Sequence, residues 1–310
     1  MRIVSLLPSA TEIVCSLGLE EQLVGVTHEC DFPTAVRRLP KVTRLHSPAD
    51  GTSAEIDRLV VERLSVGEAL YTLDMALLES LQPDLIVTQS LCGVCAIAER
   101  EVQAAVCILP GRPRVVNLEP TSLDGVLASI RTVAAAAGVV DRADHVVADL
   151  RRRIDAVVSR VAAIRRRSRT ILLEWIDPLF TCGHWSPELV RLAGAIEGLG
   201  QEGKPSRRAR WEEIVLWQPE TLVLACCGFD VERTLRDLPI LTAQPGWAEL
   251  PCVRDNRVYV VDGAAYFSRP GPRLVDGLEI LADVLHPGTA PLGSPTTALR
   301  HVGNLTGASG

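Results

Sequence analysis

The chain has 310 residues, of which 47% are hydrophobic and 23% charged, and its formal net charge is −6. This composition is typical of a globular protein, and the length exceeds what one compact core usually holds, so two lobes are expected. The negative net charge gives the chain no general attraction for nucleic acid, and that class of partner is excluded.

The N-terminal stretch has one basic residue and a short apolar segment, followed by polar residues from Ser9. A secretory leader needs a longer apolar region and a small-residue cleavage site, so no leader is predicted. No window of about 18 consecutive apolar residues occurs, so membrane insertion is not predicted either. A protein with the given sequence is expected in the cytoplasm. If a leader precedes the given sequence, the expected location is the periplasm or the cell surface.

The first part of the chain alternates apolar strand segments with helical segments. Pro8 and Ser9 are predicted to open a helix, with Ser9 and Glu12 as a capping box and Gly18 at its end. A helical stretch is predicted from Ser53 to Leu81. Strands are predicted at residues 2–7, 22–27, 84–89 and 114–120.

The middle of the chain has helical periodicity over more than forty residues. Apolar residues recur at helical spacing from Ser122 to about Arg167, with a break between Gly138 and Asp141. This stretch predicts a long spine helix that joins two lobes.

The second part of the chain repeats the alternation of strands and helices, which predicts an α/β fold with parallel sheets. The expected organisation is an N-terminal lobe (1–120), a linking spine helix (121–168), a C-terminal lobe (169–286) and a disordered tail (287–310). Strands are predicted at 170–176, 221–227 and 258–263, and helices at 186–195, 211–218 and 272–285.

Cysteines and histidines collect at the ends of the predicted strands, where open parallel sheets bind ligands. His28, Cys30, Cys92 and Cys95 are predicted to form one metal site for Zn or Fe, because imidazole and thiolate are usual ligands of these metals. For each cysteine alone, packing as a small apolar residue is the alternative. Six of the nine cysteines follow strands: Cys30, Cys92, Cys95, Cys182, Cys226 and Cys227.

Cys92 and Cys95 form a CxxC pair directly after the strand at 84–89. The spacing leaves three explanations open: a redox pair, half of a metal site, or two small buried residues. Neither a glycine-rich phosphate loop nor a nucleophile elbow is present, so a nucleotide-dependent enzyme and an α/β hydrolase are not expected.

Seven segments carry a resemblance to a known family. They are "RIVSLLPSATEIVCSLG", "VGVTHECDFP", "LESLQPDLIV", "NLEPTSLDGVLASI", "PLFTCGHW", "WEEIVLWQPETLVL" and "FSRPGPRLVDGLEILA". With these segments in this order, the chain resembles the class III periplasmic-binding-protein family, which carries cobalamin and ferric siderophores for ABC importers. It is most similar to the cobalamin-binding members, and the resemblance covers residues 2–286.

The resemblance implies two Rossmann-like lobes joined by one long helix, with a small-molecule metal chelate bound in the cleft between them. It implies no catalysis, and an ABC permease as the partner of an importer-type protein. Aromatic residues suit a flat corrin ring because their faces can stack on it. By position, the implied ligand-contact residues are His28, Cys30, Gln89, Cys92, Phe180, Cys182, Trp211, Tyr266 and Phe267.

The chain departs from the family pattern in the missing leader, in an extra stretch at residues 47–74, and in the cysteines of "HEC" and "LCGVC". These departures favour a cytosolic binder of a metal or metal chelate over an importer subunit. The sequence therefore predicts a non-catalytic protein that binds a corrinoid or another metal chelate. This prediction includes a role as the substrate-binding protein of an ABC importer. The alternative is a cytosolic metalloprotein or enzyme with Zn or Fe at a Cys/His site.

Overall fold

A computed structural model describes residues 1–45, 51–66, 70–89, 109, 111–289 and 298–304. The chain divides into two compact units, each with its own sheet. The N-terminal unit comprises Met1–Gly51, Glu55–Pro120 and Asp124–Asp149, and the C-terminal unit comprises Thr52–Ala54, Thr121–Leu123 and Leu150–Gly310.

The strands described in the N-terminal unit are β1 (Ile3–Ser5), β2 (Leu23–Gly25), β3 (Thr43–Leu45), β4 (Tyr71–Leu73), β5 (Leu85–Gln89) and β6 (Arg114–Leu118). Four of these strands pair in parallel in the order β2-β1-β5-β6, while β3 and β4 form a separate antiparallel pair. The central strands β1 and β5 are buried along their whole length, as expected for a parallel sheet covered on both faces.

Helix α1 (Pro8–Ser16) follows β1 directly. The predicted capping box is wrong, because Leu7 is the N-cap residue, Pro8 holds the first helical position, and the N-cap makes no side-chain hydrogen bond. The predicted end is confirmed: Gly18 has a φ of +66°, and the amide of Leu19 donates to the carbonyl of Val14. This is the Schellman arrangement that a glycine after a helix allows.

The predicted helix from Ser53 to Leu81 is two helices with a strand between them. Helix α2 spans Ser53–Ser65, and helix α3 spans Met75–Leu81. Between them β4 pairs with β3, and Asp74 then caps α3 by accepting a hydrogen bond from the amide of Leu77. Pairing with a partner distant in sequence thus overrides the helical spacing.

The predicted spine is made of two helices, α4 (Leu123–Ala137) and α5 (Val140–Val161). Gly138 ends α4 with a φ of +75°, and the amide of Val139 donates to the carbonyl of Ala134. The boundary between the two units falls inside α5, after Asp149. The break predicted near Gly138 is therefore confirmed, and its cause is a glycine-terminated helix end.

The strands described in the C-terminal unit are β7 (Arg169–Trp175), β8 (Phe180–Thr181), β9 (Ile196–Glu197), β10 (Thr221–Leu224), β11 (Val258–Val261) and β12 (Leu299–His301). They form one sheet in the order β12-β11-β10-β7-β8, with β9 also paired to β7. Strands β7, β9, β10 and β11 run parallel, and β8 and β12 run antiparallel to their neighbours. The α/β class with parallel sheets predicted from the sequence is confirmed in both units.

The helices described in the C-terminal unit are α6 (Ser186–Leu192), α7 (Trp211–Trp217), α8 (Val231–Thr242), α9 (Pro251–Arg254), α10 (Gly263–Tyr266) and α11 (Leu274–Leu285), together with the second part of α5. Arg153 on α5 forms ion pairs with Asp276 and Glu279 on α11 at 2.5 and 2.6 Å. Arg160, two turns further along α5, pairs with Asp283 at 2.6 Å. These charge-assisted hydrogen bonds fix α11 against α5.

The predicted disordered tail is wrong for residues 299–301. These residues form β12, which pairs antiparallel with β11, with Val260 opposite Arg300. The tail is rich in Gly, Pro, Ser and Thr, and this composition does not predict a strand. β12 forms because its backbone pairs with the exposed edge of β11, which does not require a strong local preference for strand.

Across the part of the chain that the structure describes, none of the helices combines the length and the apolar character that crossing a membrane requires.

Candidate functional site

Cys30 follows β2 at the carboxyl edge of the N-terminal sheet and is only 2% exposed. Its Sγ lies 3.0 Å from Thr11 Oγ1 and 3.1 Å from Thr27 Oγ1. Burial raises the pKa of this thiol, and its hydrogen bonds with the two threonines offset only part of that effect. Metal binding requires a thiolate, so the surroundings of Cys30 do not support the predicted role as a metal ligand. Cys30 is instead a packed, hydrogen-bonded thiol.

His28 lies two residues before Cys30 and is half-buried. Its Nδ1 is 2.8 Å from Thr43 Oγ1, and its backbone amide donates to the same oxygen at 3.1 Å. The imidazole ring also lies 5.2 Å from the ring of Tyr71, whose hydroxyl donates to Glu29 Oε1 at 3.3 Å. Burial lowers the pKa of His28, which favours the neutral imidazole. A neutral, oriented ring is suited to contact a metal chelate, and this part of the prediction stays a prediction.

Buried oxygen atoms at the ends of β5 and β6 have no hydrogen-bond partner among the described residues. They are Thr88 Oγ1, Gln89 Oε1 and Asn117 Oδ1. Thr88 and Asn117 are paired in register, so their side chains lie on the same face of the sheet. Gln89, one of the predicted contact residues, lies on the opposite face. Orphaned acceptors of this kind mark a place where water or a bound molecule can donate hydrogen bonds.

The CxxC pair, Cys92 and Cys95, lies outside the described residues. Of the predicted metal set, only His28 and Cys30 therefore lie within the described residues, and the shared site stays a prediction. Within the described part of the chain, no group of three or more His, Cys, Asp or Glu side chains is placed to hold a metal ion.

The carboxyl edge of the C-terminal sheet carries several aromatic side chains. Trp175 at the end of β7 lies 4.7 Å from the ring of Phe229, which follows β10. The indole N–H of Trp175 donates to the carbonyls of Ser53 and Asp177 at 3.2 and 3.0 Å, which fixes the ring. Phe180, paired with Trp175 across β7 and β8, is half-buried. Phe180 is one of the predicted contact residues, whereas Trp175 and Phe229 are not among them, and Phe229 is only 8% exposed.

Tyr266 and Phe267 differ in their accessibility. Tyr266 is half-buried, and the guanidinium carbon of Arg273 lies 5.5 Å from the centre of its ring. Phe267 is 2% exposed, and its carbonyl accepts a hydrogen bond from the indole N–H of Trp185 at 2.7 Å. Phe267 is therefore a core residue, and the prediction that its ring contacts a ligand is not supported.

Trp211 begins α7 and is 8% exposed. Its indole N–H donates to the carbonyl of Pro245 at 2.7 Å, and its ring lies 6.2 Å from the ring of Trp247 in a stacked arrangement. Both the face and the polar edge of this indole therefore have protein partners. The structure assigns Trp211 to packing between α7 and the loop after α8.

Cys182 is fully buried behind the carboxyl edge of β7, beside two glutamates. Burial and the nearby carboxylates of Glu197 and Glu174 raise the pKa of this thiol far above its usual value. Glu197 accepts hydrogen bonds from the amides of Leu199 and Gly200 at 2.6 and 2.5 Å. A thiol in this position cannot contact a ligand without rearrangement of the core, so its predicted role is not supported.

Glu174 is a titratable group that the sequence analysis missed. Its Oε1 accepts hydrogen bonds from the amide of Gly183 at 3.2 Å and from the hydroxyl of Ser186 at 3.0 Å. Burial raises its pKa to about 7, with Glu197 contributing in the same direction. An acidic residue inside the apolar run "TILLEW" was the available signal, since a charge in a buried strand needs specific partners.

His184 lies in the same segment as Cys182, with a φ of +51°. Its backbone amide donates to the carbonyl of Lys204 at 2.6 Å, and its ring stacks against that of Trp185. Burial lowers its pKa, and its Nδ1 is buried without a hydrogen-bond partner within the described residues. The segment packs closely against residues 204–206: a Cβ on the neighbouring Gly183 would lie 2.2 Å from the amide nitrogen of Ser206.

Comparison of sequences finds relatives that span most of the chain. An uncharacterized ABC transporter substrate-binding lipoprotein, YvrC of Bacillus subtilis, is 25% identical over 300 residues, covering 93% of this chain and 81% of the relative. A vitamin B12-binding protein of Vibrio cholerae is 23% identical over 281 residues, covering 90% of this chain and 86% of the relative.

Comparison of structures gives the same fold. A periplasmic heme binding protein from Pseudomonas aeruginosa superposes with a TM-score of 0.73 at 22% identity, covering 96% of each chain. The periplasmic vitamin B12 binding protein BtuF of Vibrio cholerae superposes with a TM-score of 0.65 at 21% identity, covering 92% of this chain and 98% of that one. At this level of identity the likeness shows the shared fold.

The family model described as "Periplasmic binding protein" matches residues 3–265, which is most of the chain. Proteins of this family are non-catalytic, substrate-binding components of transport systems. The alternative of a cytosolic metalloenzyme is therefore not supported. With the family model, the relatives and the fold in agreement, the chain belongs to the periplasmic binding protein family.

Proposed function

We propose that the chain is the substrate-binding protein of an ABC importer and that its substrate is a flat, macrocyclic metal chelate of the corrinoid or haem type. The observation that carries this proposal is the agreement between two comparisons. Relatives matched by sequence include vitamin B12-binding proteins, and chains matched by structure include heme-binding proteins. Both substrates are planar rings around a chelated metal.

The aromatic edge of the C-terminal unit supports a substrate of this shape. Trp175, Phe180 and Tyr266 all follow or flank strands at the carboxyl end of the parallel strands of one sheet. This is the end at which α/β sheets bind ligands. Aromatic rings offer large apolar faces at a low entropic cost, which suits a flat ring system.

A corrinoid is the first candidate, because vitamin B12-binding proteins are among the relatives that match about nine-tenths of the chain by sequence. Haem is the second candidate, because periplasmic heme-binding proteins share the fold over more than nine-tenths of the chain. For either substrate, His28 is the described residue suited to approach the chelated metal, since its ring is half-buried, neutral and held by Thr43.

The partner that follows from this role is an ABC permease. The expected cytoplasmic location is not supported, since the family is periplasmic and one relative is a lipoprotein. We propose that the protein acts in the periplasm or at the cell surface, as expected for a receptor that delivers substrate to an importer.

The test is a titration of the purified full chain with cobalamin and, separately, with ferric protoporphyrin IX, followed by the visible absorption of each ring. We expect saturable binding of at least one ring at one molecule per chain. His28→Ala is expected to shift the absorption bands of the bound chelate, whereas His145→Ala, at an exposed position on α5, is the matched control. Failure of both rings to bind would refute the proposal.

A further inference from the structure

Thr88 and Asn117 place two buried oxygen atoms side by side at the carboxyl edge of the N-terminal sheet. Thr88, near the end of β5, is 1% exposed, and Asn117 in β6 is half-buried. Thr88 Oγ1 and Asn117 Oδ1 both lack a hydrogen-bond partner within the described residues. A buried polar atom without a partner costs free energy, so a pair of such atoms in one place indicates that a bound group satisfies them.

The pairing of β5 with β6 fixes the spacing of the two side chains. Thr88 and Asn117 are partners in the parallel register, so they lie on one face of the sheet and begin about 4.8 Å apart, the usual distance between neighbouring strands. Two positions earlier on the same face, Ile86 and Val115 pack in an apolar core with Leu78 of α3. The polar pair therefore comes directly after that core, toward the end of the sheet at which ligands bind.

A neighbouring carboxylate sets the orientation of the Asn117 amide. The Nδ2 of Asn117 donates to Glu119 Oε1 at 3.0 Å. Because a carboxylate only accepts hydrogen bonds, the nitrogen of the amide faces Glu119, and Oδ1 is left as an acceptor. The Thr88 hydroxyl can donate as well as accept. The pair therefore offers a donor and an acceptor next to each other.

The charges at this edge disfavour an anion. Glu119 lies beside Asn117, and Glu29 and Asp31 follow β2 in the same sheet. The ammonium of Lys41, in the same unit, already donates to two backbone carbonyls at 3.0 and 3.5 Å. A carboxylate bound at the pair would therefore meet an amide oxygen and a nearby carboxylate, both of which repel it.

A primary carboxamide complements the pair. Its N–H can donate to Asn117 Oδ1 while its carbonyl oxygen accepts from the Thr88 hydroxyl, so one planar group satisfies both atoms. Each of these hydrogen bonds spans about 2.9 Å, which suits a group that bridges two neighbouring strands. An ionised carboxylate and an ester have no donor for Asn117 Oδ1, so either group would leave that oxygen unpaired.

We infer that Thr88 and Asn117 are specificity-determining residues that bind a primary carboxamide substituent of the chelate and disfavour the corresponding carboxylate. This inference rests on the proposed function and deepens it, because it names the chemical class of the substrate's side groups. It favours a corrinoid that carries amides over haem, whose acidic side groups are carboxylates.

The experiment compares the side groups on one ring. The full chain is titrated with cobyric acid, which carries primary carboxamides, with cobyrinic acid, which carries carboxylates in their place, and with cobyrinic acid heptamethyl ester. Ferric protoporphyrin IX and its bis-amide are compared in the same way. For the ring that binds, we expect the amide form to be held at least about tenfold more tightly than the other forms, as one unpaired buried acceptor predicts.

Variants assign the preference to the two residues. Thr88→Val and Asn117→Leu each remove a polar group with little change of shape, and each should lower affinity for the amide form about tenfold. Asn117→Leu should leave affinity for the ester unchanged. Thr132→Val, at an exposed position on α4 where the hydroxyl donates to the carbonyl of Ala128, is the matched control and should change neither affinity. Far-ultraviolet circular dichroism confirms that each variant is folded.

Unfolding of the protein without ligand separates a binding role from a structural one. Because Thr88 Oγ1 has no partner among the described residues, Thr88→Val should leave the free energy of unfolding unchanged or raise it, while it weakens binding of the amide form. A less stable Thr88→Val protein would show that the hydroxyl is already bonded, within the protein or to a structural water, and would overturn the inference.

Equal binding of the amide and carboxylate forms, or equal losses for the amide and the ester in Asn117→Leu, would also overturn the inference and leave the proposed function standing. Failure of every ring to bind in any form would overturn the proposed function as well.

Discussion

At the scale of single residues, burial decides what a strand-end side chain can do. Cys30, Cys182 and Cys226 all follow strands, and burial raises the pKa of each thiol. They therefore remain protonated and packed at neutral pH, although the same positions in a more open or more positive environment would favour thiolates. Burial likewise raises the pKa of the Glu174 carboxyl group.

Replacing Glu174 with glutamine should alter how stability depends on pH. Its pKa is about 7 in the folded protein, against an ordinary value of 4.5. The unfolded chain therefore loses this proton at lower pH than the folded chain does. Stability linked to Glu174 is complete below about pH 4.5 and falls as pH rises through 7. We expect Glu174→Gln to reduce that fall, measured by urea unfolding at pH values from 5 to 8.

The control for this experiment is Glu249→Gln, which changes an exposed carboxyl group. It should leave the pH dependence of the wild-type protein unchanged. If wild type and Glu174→Gln lost stability with the same slope between pH 5 and 7, the raised pKa assigned to Glu174 would be wrong.

At the scale of elements, the helix starts at Pro8, Ser186 and Trp211 were predictable from the sequence, and so were two glycine-terminated helix ends. Gly18 and Gly138 end their helices with positive φ, as their positions in the sequence indicate. Ser9 was misleading only as a capping residue, because Leu7 is the N-cap and Pro8 takes the first helical position. Strand β4 was missed for another reason: three residues show no periodicity that separates them from the helices on either side.

Gly138→Ala should destabilise the link between α4 and α5. Gly138 has a φ of +75°, and nothing lies within 4 Å of an added Cβ, so the cost comes from backbone strain without a clash. We expect a loss of about 1 kcal/mol in the free energy of unfolding, measured with urea.

Gly288→Ala provides a matched substitution at a glycine with open space and no positive φ. It should be neutral or slightly stabilising, because it reduces the freedom of the unfolded chain. An equal effect of both substitutions would show that the glycine at 138 is not required by its backbone conformation.

At the scale of the whole molecule, the chain has two α/β units and a binding function. Binding to the folded state alone stabilises that state by mass action. A corrinoid or haem that binds should therefore raise the free energy of unfolding by about 2.7 kcal/mol at a free concentration one hundred times its Kd. The rise is measured by denaturant unfolding with and without the ring.

Zinc and iron salts at the same concentrations serve as the control for the metal-site alternative. Because the proposed substrate is a preformed chelate and not a free metal ion, neither salt should change the unfolding free energy. Stabilisation by zinc alone, with none by either ring, would contradict the proposed function.

The sequence by itself determined the repeating pattern of strand and helix, the helix ends at glycine and the positions of polar residues after strands. These features depend on neighbouring residues, through periodicity and backbone preference, and so can be read locally. The resemblance to the family also implies Phe180 and Tyr266 as ligand contacts; both side chains are half-buried, and their contact with a ligand stays a prediction.

Only the tertiary structure decided which strand-end residues are buried and which are accessible. Cys30, Cys182, Trp211 and Phe267 carry suitable chemistry, yet each is covered by residues far away in the sequence. The contact between the Arg208 guanidinium and the ring of Phe180 likewise joins two separate segments of the chain. Burial and stacking are properties of packing between distant segments, and no local pattern of residues contains them.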